Sequence, residues 1–430
     1  MINAIRYNSG YILIMALWSI VGMLSTEASI VVILSTLILF FNKKKYFEAL
    51  FGFFFLLVLS DNLQELWAFA KVVKPYYLIL MSALVIYDHK ELVKNNNILK
   101  QFIPYLAVAS LCLLFAVQFD IAVQKTLSYA LILFVIPNIT IYEYHRIGRQ
   151  FFANLIAFSV IIHFISISVL ITFPEVGMSH GDRWQGMFGN PNGLGLFLIV
   201  FYLVYKAVII EFEGIFSRRE RIFYLMLTLV FLWMCGSRTA LISITTFELA
   251  LVGFRYSKFL TSLLLVSFFI YFDFIYDEIL GFLSDLGLAS DLRLSSIDDG
   301  SGRYVAWGFA WEYIKYDSFF LGKGLGYDEW VMRSNAIYLT KLGHEGGVHN
   351  TYLIIWLNTG LIGLISFFYG FLNLYIQAIR RKIYAFPSML AVLISINFEP
   401  WLSASLNPYT VIFLILLTMM LFIDNEKEIV

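Results

Sequence analysis

Four side chains that can bind an anion or transfer a proton lie in polar connections between long apolar runs. They are Arg183 in Gly-Asp-Arg-Trp, Arg238 in Gly-Ser-Arg-Thr, Arg303 in Ser-Gly-Arg-Tyr and His349 in Val-His-Asn-Thr. A guanidinium binds phosphate oxygens through a planar fork of N–H donors. A histidine titrates near neutral pH and accepts a proton from a hydroxyl group. Together the four residues predict a site for a substrate that carries a phosphate or pyrophosphate group.

Each of these side chains also has a simpler interpretation. Arg183 fits a solvated loop, and Arg238 can extend to the membrane interface. Arg303 can pair with an aspartate at 298–299, and His349 can hydrogen-bond to a loop. The interpretation as a site therefore depends on whether the fold brings the four residues to the same face of the membrane.

The composition identifies a membrane protein. Of 430 residues, 60% are hydrophobic and 14% are charged, whereas a soluble domain has roughly 25% charged residues. The formal net charge is zero, so no bulk field attracts nucleic acid. Cys112 and Cys235 lie in apolar runs and are predicted to be buried free thiols. The first apolar run has no small-residue cleavage site, so no cleavable signal peptide is predicted.

Polar breaks divide the chain into fourteen apolar runs of roughly the length that crosses a bilayer. We therefore predict an all-α polytopic membrane protein with about 12–14 transmembrane helices. The runs are 10–25, 27–42, 46–60, 71–87, 101–119, 124–142, 150–173, 190–210, 221–236, 238–254, 258–276, 350–379, 384–399 and 405–423.

Positive charge predicts the orientation. With fourteen spans, the basic loops all fall on one side, including those at 43–45, 146–149, 218–221 and 380–382, and this side is the cytoplasm. Both termini are then cytoplasmic. The predicted parts are an N-terminal bundle of about eleven spans (1–276), a large extracytoplasmic loop (277–350) and about three C-terminal spans (351–430).

The large loop is predicted to contain an amphipathic helix at 302–316, capped by Ser301 and lying on the membrane face. Arg303 in its first turn faces the unfavourable end of the helix dipole, so an anionic ligand or a nearby carboxylate would stabilise it. Glu399 ends a later span on the same side and can approach the site. The candidate substrate-binding residues are Arg183, Asn350, Trp307, Arg333 and Glu399.

The order and spacing of several motifs resemble the O-antigen ligase/polymerase superfamily over about 181–363. The motifs are Arg-Trp-Gln-Gly-Met-Phe-Gly-Asn-Pro-Asn, Gly-Ser-Arg-Thr-Ala-Leu, Ser-Gly-Arg-Tyr, Gly-Lys-Gly-Leu-Gly and His-Asn-Thr-Tyr-Leu. The resemblance implies a glycosyltransferase of the bacterial inner membrane with an active periplasmic loop. Its donor would be an undecaprenyl-pyrophosphate-linked oligosaccharide, without a metal or nucleotide cofactor. It further implies that Arg238 and Arg303 hold the pyrophosphate and that His349 activates the acceptor; Arg183 matches a further arginine.

Within that superfamily, the sequence favours a repeat-unit polymerase over a ligase that transfers the finished glycan to lipid A-core. The loop lacks an extra basic cluster that would bind a phosphorylated core. A polymerase would act in a membrane lipid environment, with a chain-length regulator and a flippase as candidate partners and no nucleic acid.

Residues that could serve two functions of other classes are also present. The residues His344-Glu-Gly-Gly-Val-His349 resemble a zinc-protease motif, but the second histidine is at i+5, and two glycines interrupt the helix that such a site requires. A flippase or other transporter would need charged or titratable groups within its spans. The candidates for such groups are few: Glu248, His163 and Glu399.

Overall fold

The computed structural model describes residues 9–62, 64–93, 96–179, 182–257, 259–261, 263 and 303–423, and these are almost entirely helical, which confirms the all-α prediction. The helices are α1 (Ser9–Leu24), α2 (Thr26–Asn42), α3 (Tyr46–Asp61), α4 (Ala68–Tyr87), α5 (His89–Leu92), α6 (Asn97–Cys112), α7 (Phe119–Ile147), α8 (Gln150–Thr172), α9 (Pro174–Gly177), α10 (Pro191–Glu211), α11 (Arg218–Cys235), α12 (Arg238–Tyr256), α13 (Arg303–Asp317), α14 (Tyr327–Ser334), α15 (Ala336–Lys341), α16 (Thr351–Ile379), α17 (Ala385–Phe398) and α18 (Pro408–Phe422). Short 3₁₀ turns occupy Glu65–Trp67, Leu113–Phe115 and Trp401–Ser403. Strands β1 (Met178–Ser179) and β2 (Arg183–Trp184) form a small antiparallel pair.

Most of the predicted spans coincide with observed helices. Thirteen of the fourteen apolar runs match a helix of the structure, and the run at 258–276 lies almost entirely outside the described residues. Within the described part of the chain, six helical segments are long and apolar enough to cross a membrane. They are Glu65–Tyr87, Asn97–Phe115, Phe119–Ile147, Gln150–Thr172, Pro191–Glu211 and Thr351–Ile379. A multi-pass membrane protein is thereby confirmed, while the orientation of the termini and of the loop stays a prediction.

Contacts between residues divide the chain into two compact units. The first unit comprises the described residues of Met1–Leu106, Gln124–Ser237 and Ala404–Val430, and the second those of Ala107–Val123 and Arg238–Ser403. This division follows packing, whereas the predicted parts at 1–276, 277–350 and 351–430 follow the order of the chain. The predicted parts therefore stay a prediction.

The first unit is built around helices that are apolar on every side. Nearly all side chains of α3 are buried, as are those of α18, which is what an all-round apolar helix requires. The ring of Phe54 lies 5.7 Å from that of Phe158 and 5.6 Å from that of Phe201. Aromatic side chains from three helices thus fill this core.

The end of α3 anchors the loop that precedes α10. The carboxylate of Asp61 accepts hydrogen bonds from the Gly189 amide at 3.1 Å and the Tyr409 hydroxyl at 2.9 Å. The Asn62 side chain donates to the carbonyl of Met187 at 3.2 Å. A side chain at Gly189 would collide with the Asp61 carbonyl. The Asn-Pro-Asn-Gly segment that begins α10 is therefore held by polar contacts, and its Asn190 caps the helix.

In the second unit, α12 and α17 pack against each other and run antiparallel. Phe254 near the end of α12 contacts Phe386 near the start of α17, with ring centroids 4.7 Å apart. The start of α12 and the end of α17 consequently lie at the same end of the pair. Helix α17 also packs on α16, which carries α13 and α14.

Helix α16 is broken at Gly360, where the backbone has φ 74° and ψ 179°. Two amides beyond the break donate outside the helix: Leu361 to the Phe319 carbonyl at 2.8 Å and Ile362 to the Phe320 carbonyl at 3.3 Å. Before the break, the Asn358 carbonyl accepts from the Gly324 amide at 3.0 Å. The segment 319–324 therefore supplies the backbone partners that the break leaves open.

The glycines of Gly-Lys-Gly-Leu-Gly fit this junction. A side chain at Gly322 would collide with the Asn358 carbonyl, and one at Gly360 would collide with the Phe320 carbonyl. Asn358 and Asp328 exchange two hydrogen bonds of 2.9 Å. The sequence predicted one continuous span at 350–379, and the structure corrects this to two helical halves joined at Gly360.

The amphipathic helix predicted at 302–316 is observed as α13, beginning at Arg303 in the described residues. Its apolar stripe is buried against the protein, and its position at the membrane face stays a prediction. Ala306 and Ala310 pack with Val348 and Ile354, and Ile314 packs in a second cluster from α14 and α16. The predicted cap Ser301 and the carboxylates at 298–299 lie outside the described residues.

Candidate functional site

Arg303 and Glu399 form an ion pair at the centre of the candidate site. Nη2 of Arg303 donates to Oε1 of Glu399 at 2.6 Å, and the two side chains are 17% and 7% exposed. The Arg303 guanidinium also lies over the Phe398 ring, 5.8 Å from its centroid. The structure thus supplies the nearby carboxylate that the position of Arg303 in the first turn of α13 was expected to require.

His349 lies on the other side of the same carboxylate. Its Nδ1 is 3.9 Å from Oε2 of Glu399, and this buried nitrogen has no hydrogen-bond partner among the described residues. The Nε2 atom faces Gly346, where an added Cβ would lie 3.1 Å away. His349 also has φ 52°, in the left-handed region that only a few per cent of non-glycine residues adopt, among them asparagine, aspartate and histidine most often. Strained backbone of this kind concentrates at functional sites.

The start of α16 and the end of α17 are tied together next to His349. Asn350 caps α16 by accepting from the Leu353 amide at 3.0 Å, and its Nδ2 donates to Oδ1 of Asn397 at 3.2 Å. The Thr351 hydroxyl donates to the Glu399 carbonyl at 2.9 Å. These bonds fix the separation of His349 and Glu399. The observed contacts of Asn350 are structural, and its substrate-binding role stays a prediction.

Arg238 begins α12, at the end of the α12–α17 pair that also carries Glu399. At 1.5 Å per residue, Arg238 lies about 24 Å along α12 from Phe254, and Glu399 about 20 Å along α17 from Phe386. Antiparallel packing with Phe254 beside Phe386 therefore leaves both charged residues at one end. The structure brings Arg303, His349 and Glu399 into contact and puts Arg238 at the same end of the second unit.

Trp307 lies one turn after Arg303 and forms an aromatic wall. Its ring is 6.2 Å from that of Phe398 and 5.5 Å from that of Tyr304. The indole Nε1 is buried and has no hydrogen-bond partner among the described residues. An unpaired buried donor beside a charged pair fits the predicted role of Trp307 in substrate binding.

Two further predicted binding residues, Arg333 and Arg183, have other contacts in the structure. Arg333 is on α14, with its side chain 80% exposed and 3.6 Å from Glu329. Arg183 is in the first unit, where it donates to the carbonyls of Cys235 at 2.7 Å and Gly236 at 3.2 Å and to the Asn192 side chain at 3.0 Å. It therefore joins the end of α11 to the start of α10. Its roles in holding pyrophosphate and substrate stay predictions.

Residues 343–350 form no helix, so His344 and His349 do not share the helical face that the zinc-protease motif requires. His344 instead is bonded through Nε2 to the Gly347 carbonyl at 3.1 Å, and its ring lies 6.1 Å from that of His349. His163, a candidate for a transporter, is buried in α8, where Nδ1 is 2.6 Å from the Ser159 carbonyl.

Sequence reasoning missed three contributors to the site: Phe398 beneath Arg303, Asn397 beside Asn350, and Gly346 facing His349. Asn397 and Phe398 directly precede Glu399, so the polar end of the apolar run was the available signal. Gly346 is one of two adjacent glycines, and in the sequence this pair indicates only an interrupted helix.

Residues 223–368 match the family model described as O-antigen ligase (Wzy_C). The matched residues include Arg238, Arg303 and His349, whereas Glu399 lies beyond them. The comparison with curated proteins finds no match. The superfamily predicted from the motifs is confirmed. The family implies a membrane enzyme of the glycosyltransferase type that acts on a lipid-linked glycan.

Proposed function

We propose, from the O-antigen ligase domain that the chain contains at residues 223–368, that this protein is a bacterial surface-polysaccharide polymerase. It joins oligosaccharide repeat units, carried on undecaprenyl pyrophosphate, at the outer face of the inner membrane. The observation that carries the proposal is the contact of Arg303 and His349 with the same buried carboxylate, Glu399. The site thereby combines a phosphate-binding cation with a base.

The arginines would bind the donor pyrophosphate. Arg303 uses Nη2 for Glu399, and a guanidinium has five N–H donors in all, so further donors remain for phosphate oxygens. Arg238 begins α12 at the same end of the second unit and would supply a second cation. Two arginines stabilise the charge that develops on the pyrophosphate as it leaves.

His349 would remove the proton from the acceptor. The Glu399 carboxylate on the Nδ1 side favours the tautomer with its proton on Nδ1, which leaves the Nε2 lone pair free as a base. The acceptor oxygen forms a bond to the anomeric carbon of the donor sugar, and the bond from that carbon to the pyrophosphate oxygen breaks. The acceptor proton moves to Nε2, and the electron pair leaves with the carrier-linked pyrophosphate.

Glu399 is better assigned a positioning role than the predicted role in substrate binding. A carboxylate repels pyrophosphate, yet this one is buried between Arg303 and His349. It would orient the guanidinium and the imidazole before the substrate arrives, as preorganised sites require. The carboxylate also balances the charge of Arg303 before substrate binds, which lowers the cost of burying that arginine.

A ligase that transfers the glycan to lipid A-core is the second candidate, since the matched family is described as O-antigen ligase. The described part of the large loop favours the polymerase. Four cationic residues lie between Arg303 and His349, namely Lys315, Lys323, Arg333 and Lys341. Two of them are paired, Lys315 with Glu312 at 2.7 Å and Arg333 with Glu329 at 3.6 Å. Little cationic surface remains for a phosphorylated core.

Deletion of the gene, read on a polysaccharide gel, tests the proposal. A polymerase deletion leaves single repeat units on lipid A-core and no long ladder. A ligase deletion leaves full-length polymer on the carrier lipid, and that outcome would replace the proposed function with the second candidate. An unchanged ladder would exclude both. The proposed chain-length regulator and flippase partners require separate co-purification from the same membrane.

A further inference from the structure

A groove of about 370 Å³ lies between the last turns of α10 and the first turns of α11, in the first unit. Three cationic side chains line it, Lys206 from α10 and Arg218 and Arg221 from α11. None of its lining residues in the described part of the chain is acidic. The groove is therefore a concentrated positive site, and the proposed glycosyl transfer makes no use of it.

The two ends of the groove differ in chemistry. Because α10 runs toward the connecting loop and α11 runs away from it, Arg218 lies at the loop end, and Tyr202 and Leu225 lie farther along the helices. From Arg218 to Leu225 the distance is about 10 Å along α11. Ile222 and Leu225 line the groove and are 51% and 40% exposed. Nζ of Lys206 lies 5.9 Å from the centroid of the Tyr202 ring, so the cations extend from the loop end along the α10 side, and Ile222 and Leu225 form an exposed apolar end on the α11 side.

Local contacts hold this arrangement in place. The Tyr205 hydroxyl donates to the Arg221 carbonyl at 3.2 Å, and the rings of Tyr205 and Tyr224 stack with centroids 4.4 Å apart. Glu220, the acidic residue in the first turn of α11, bonds to Ser217 in a capping box. Since Glu220 is engaged there, it does not line the groove between the cations.

We propose that this groove binds an anionic glycerophospholipid of the surrounding bilayer. Its phosphate lies among Lys206, Arg218 and Arg221, and one acyl chain follows Ile222 and Leu225. Basic pockets between membrane helices bind acidic lipid headgroups in this way. A soluble phosphate would leave the apolar end unused, and a zwitterionic lipid would bring a cation toward the arginines. The proposal stands independently of the glycosyl transfer proposed above.

Lipid retention by the purified, detergent-solubilised full chain tests the proposal. Native mass spectrometry compares phosphatidylglycerol with phosphatidylcholine at equal concentration. We expect retention of phosphatidylglycerol, weakened about tenfold or more in the double variant Arg218→Gln/Arg221→Gln. The charge-preserving Arg218→Lys/Arg221→Lys variant should keep most of it. Arg219→Gln is the matched control, because Arg219 is an exposed neighbour on α11 that does not line the groove.

Three results would overturn the proposal: equal retention of both lipids, an equal loss in Arg219→Gln, or displacement of phosphatidylglycerol by equimolar undecaprenyl phosphate. The last would make the carrier lipid the ligand. Melting temperatures of all variants in the same detergent separate loss of binding from loss of folding. Because no glycan transfer is measured, failure here leaves the proposed polymerase activity untouched.

Discussion

Arg303 contacts Glu399 across 96 positions of the chain, with 2.6 Å between Nη2 and Oε1. The pair joins the first turn of α13 to the residue that follows α17. Both side chains are largely removed from solvent, so each charge needs the other to offset the free-energy cost of its burial. The same carboxylate faces His349. One residue beyond the matched family region thereby links both groups assigned to the reaction.

Glu399→Gln removes the negative charge that pairs with the largely buried Arg303 in the described part of the chain. We expect the free energy of unfolding to fall by about 2 kcal/mol, because the pair is mostly but not fully buried. Thermal unfolding in detergent measures it. The exposed pair Lys315–Glu312 is the control, and Glu312→Gln should change stability by less than about 0.5 kcal/mol. A double-mutant cycle with Arg303→Gln that gives no coupling would contradict the role of this ion pair.

His349→Asn removes the proposed base and should leave the backbone conformation unchanged, since asparagine tolerates the left-handed conformation that His349 adopts. We expect normal amounts of folded protein and no long polysaccharide. His349→Ala should lose the polymer too, with an added cost from backbone strain. The readouts are a polysaccharide gel and an immunoblot of the membrane fraction. A full-length ladder from His349→Asn would remove His349 from the mechanism.

Gly346→Ala introduces a Cβ 3.1 Å from Nε2 of His349. Displacing the imidazole should lower glycan transfer about tenfold or more. Two neighbouring glycines provide matched controls. Gly343 also has positive φ but open space around its Cα, and Gly347 has open space without positive φ. If Gly343→Ala and Gly346→Ala reduce transfer equally, backbone strain alone explains the loss and the contact with Nε2 is irrelevant.

Gly360→Ala meets two obstacles, a positive φ and the Phe320 carbonyl. We expect destabilisation by about 3 kcal/mol or more, seen as loss of folded protein from the membrane. Gly308→Ala in α13, where a Cβ meets open space, should be neutral or stabilising by up to about 1 kcal/mol. Wild-type stability of Gly360→Ala would show that α16 can form without its break.

Arg183→Gln shortens a side chain that donates to two carbonyls and one amide. Losing these bonds should cost about 1–3 kcal/mol of stability, measured as a lower melting temperature. Arg333→Gln, on an exposed side chain, should leave the melting temperature unchanged. Loss of transfer in Arg183→Gln at an unaltered melting temperature would favour direct substrate binding by Arg183 over the structural role.

Apolar run lengths and polar breaks were sufficient to predict thirteen helices, and helical periodicity gave the buried stripe of α13. These patterns could not predict which residues cover that stripe, because Val348 and Ile354 lie more than thirty residues from Ala310 in the chain. A helix that packs on a bilayer would also show the same apolar pattern. The break at Gly360 was missed although Asn358-Thr359-Gly360 interrupts the apolar run, because the backbone partners that such a break requires are 42 residues earlier. The carbonyl partners of Arg183 could not be predicted either, because Cys235 and Gly236 lie more than fifty residues later in the chain.

The junction at Gly360 has a consequence for how the protein is made. The ribosome synthesises Phe319 and Phe320 before α16, and the amides beyond Gly360 reach their bonding partners only on those two residues. The apolar run of α16 is longer than the roughly 20 residues that cross a bilayer, and the bend within it depends on backbone partners outside the helix. The half of α16 before the break carries His349 and Asn350 at its start. Assembly of the candidate site is therefore coupled to docking of the earlier segment against the break.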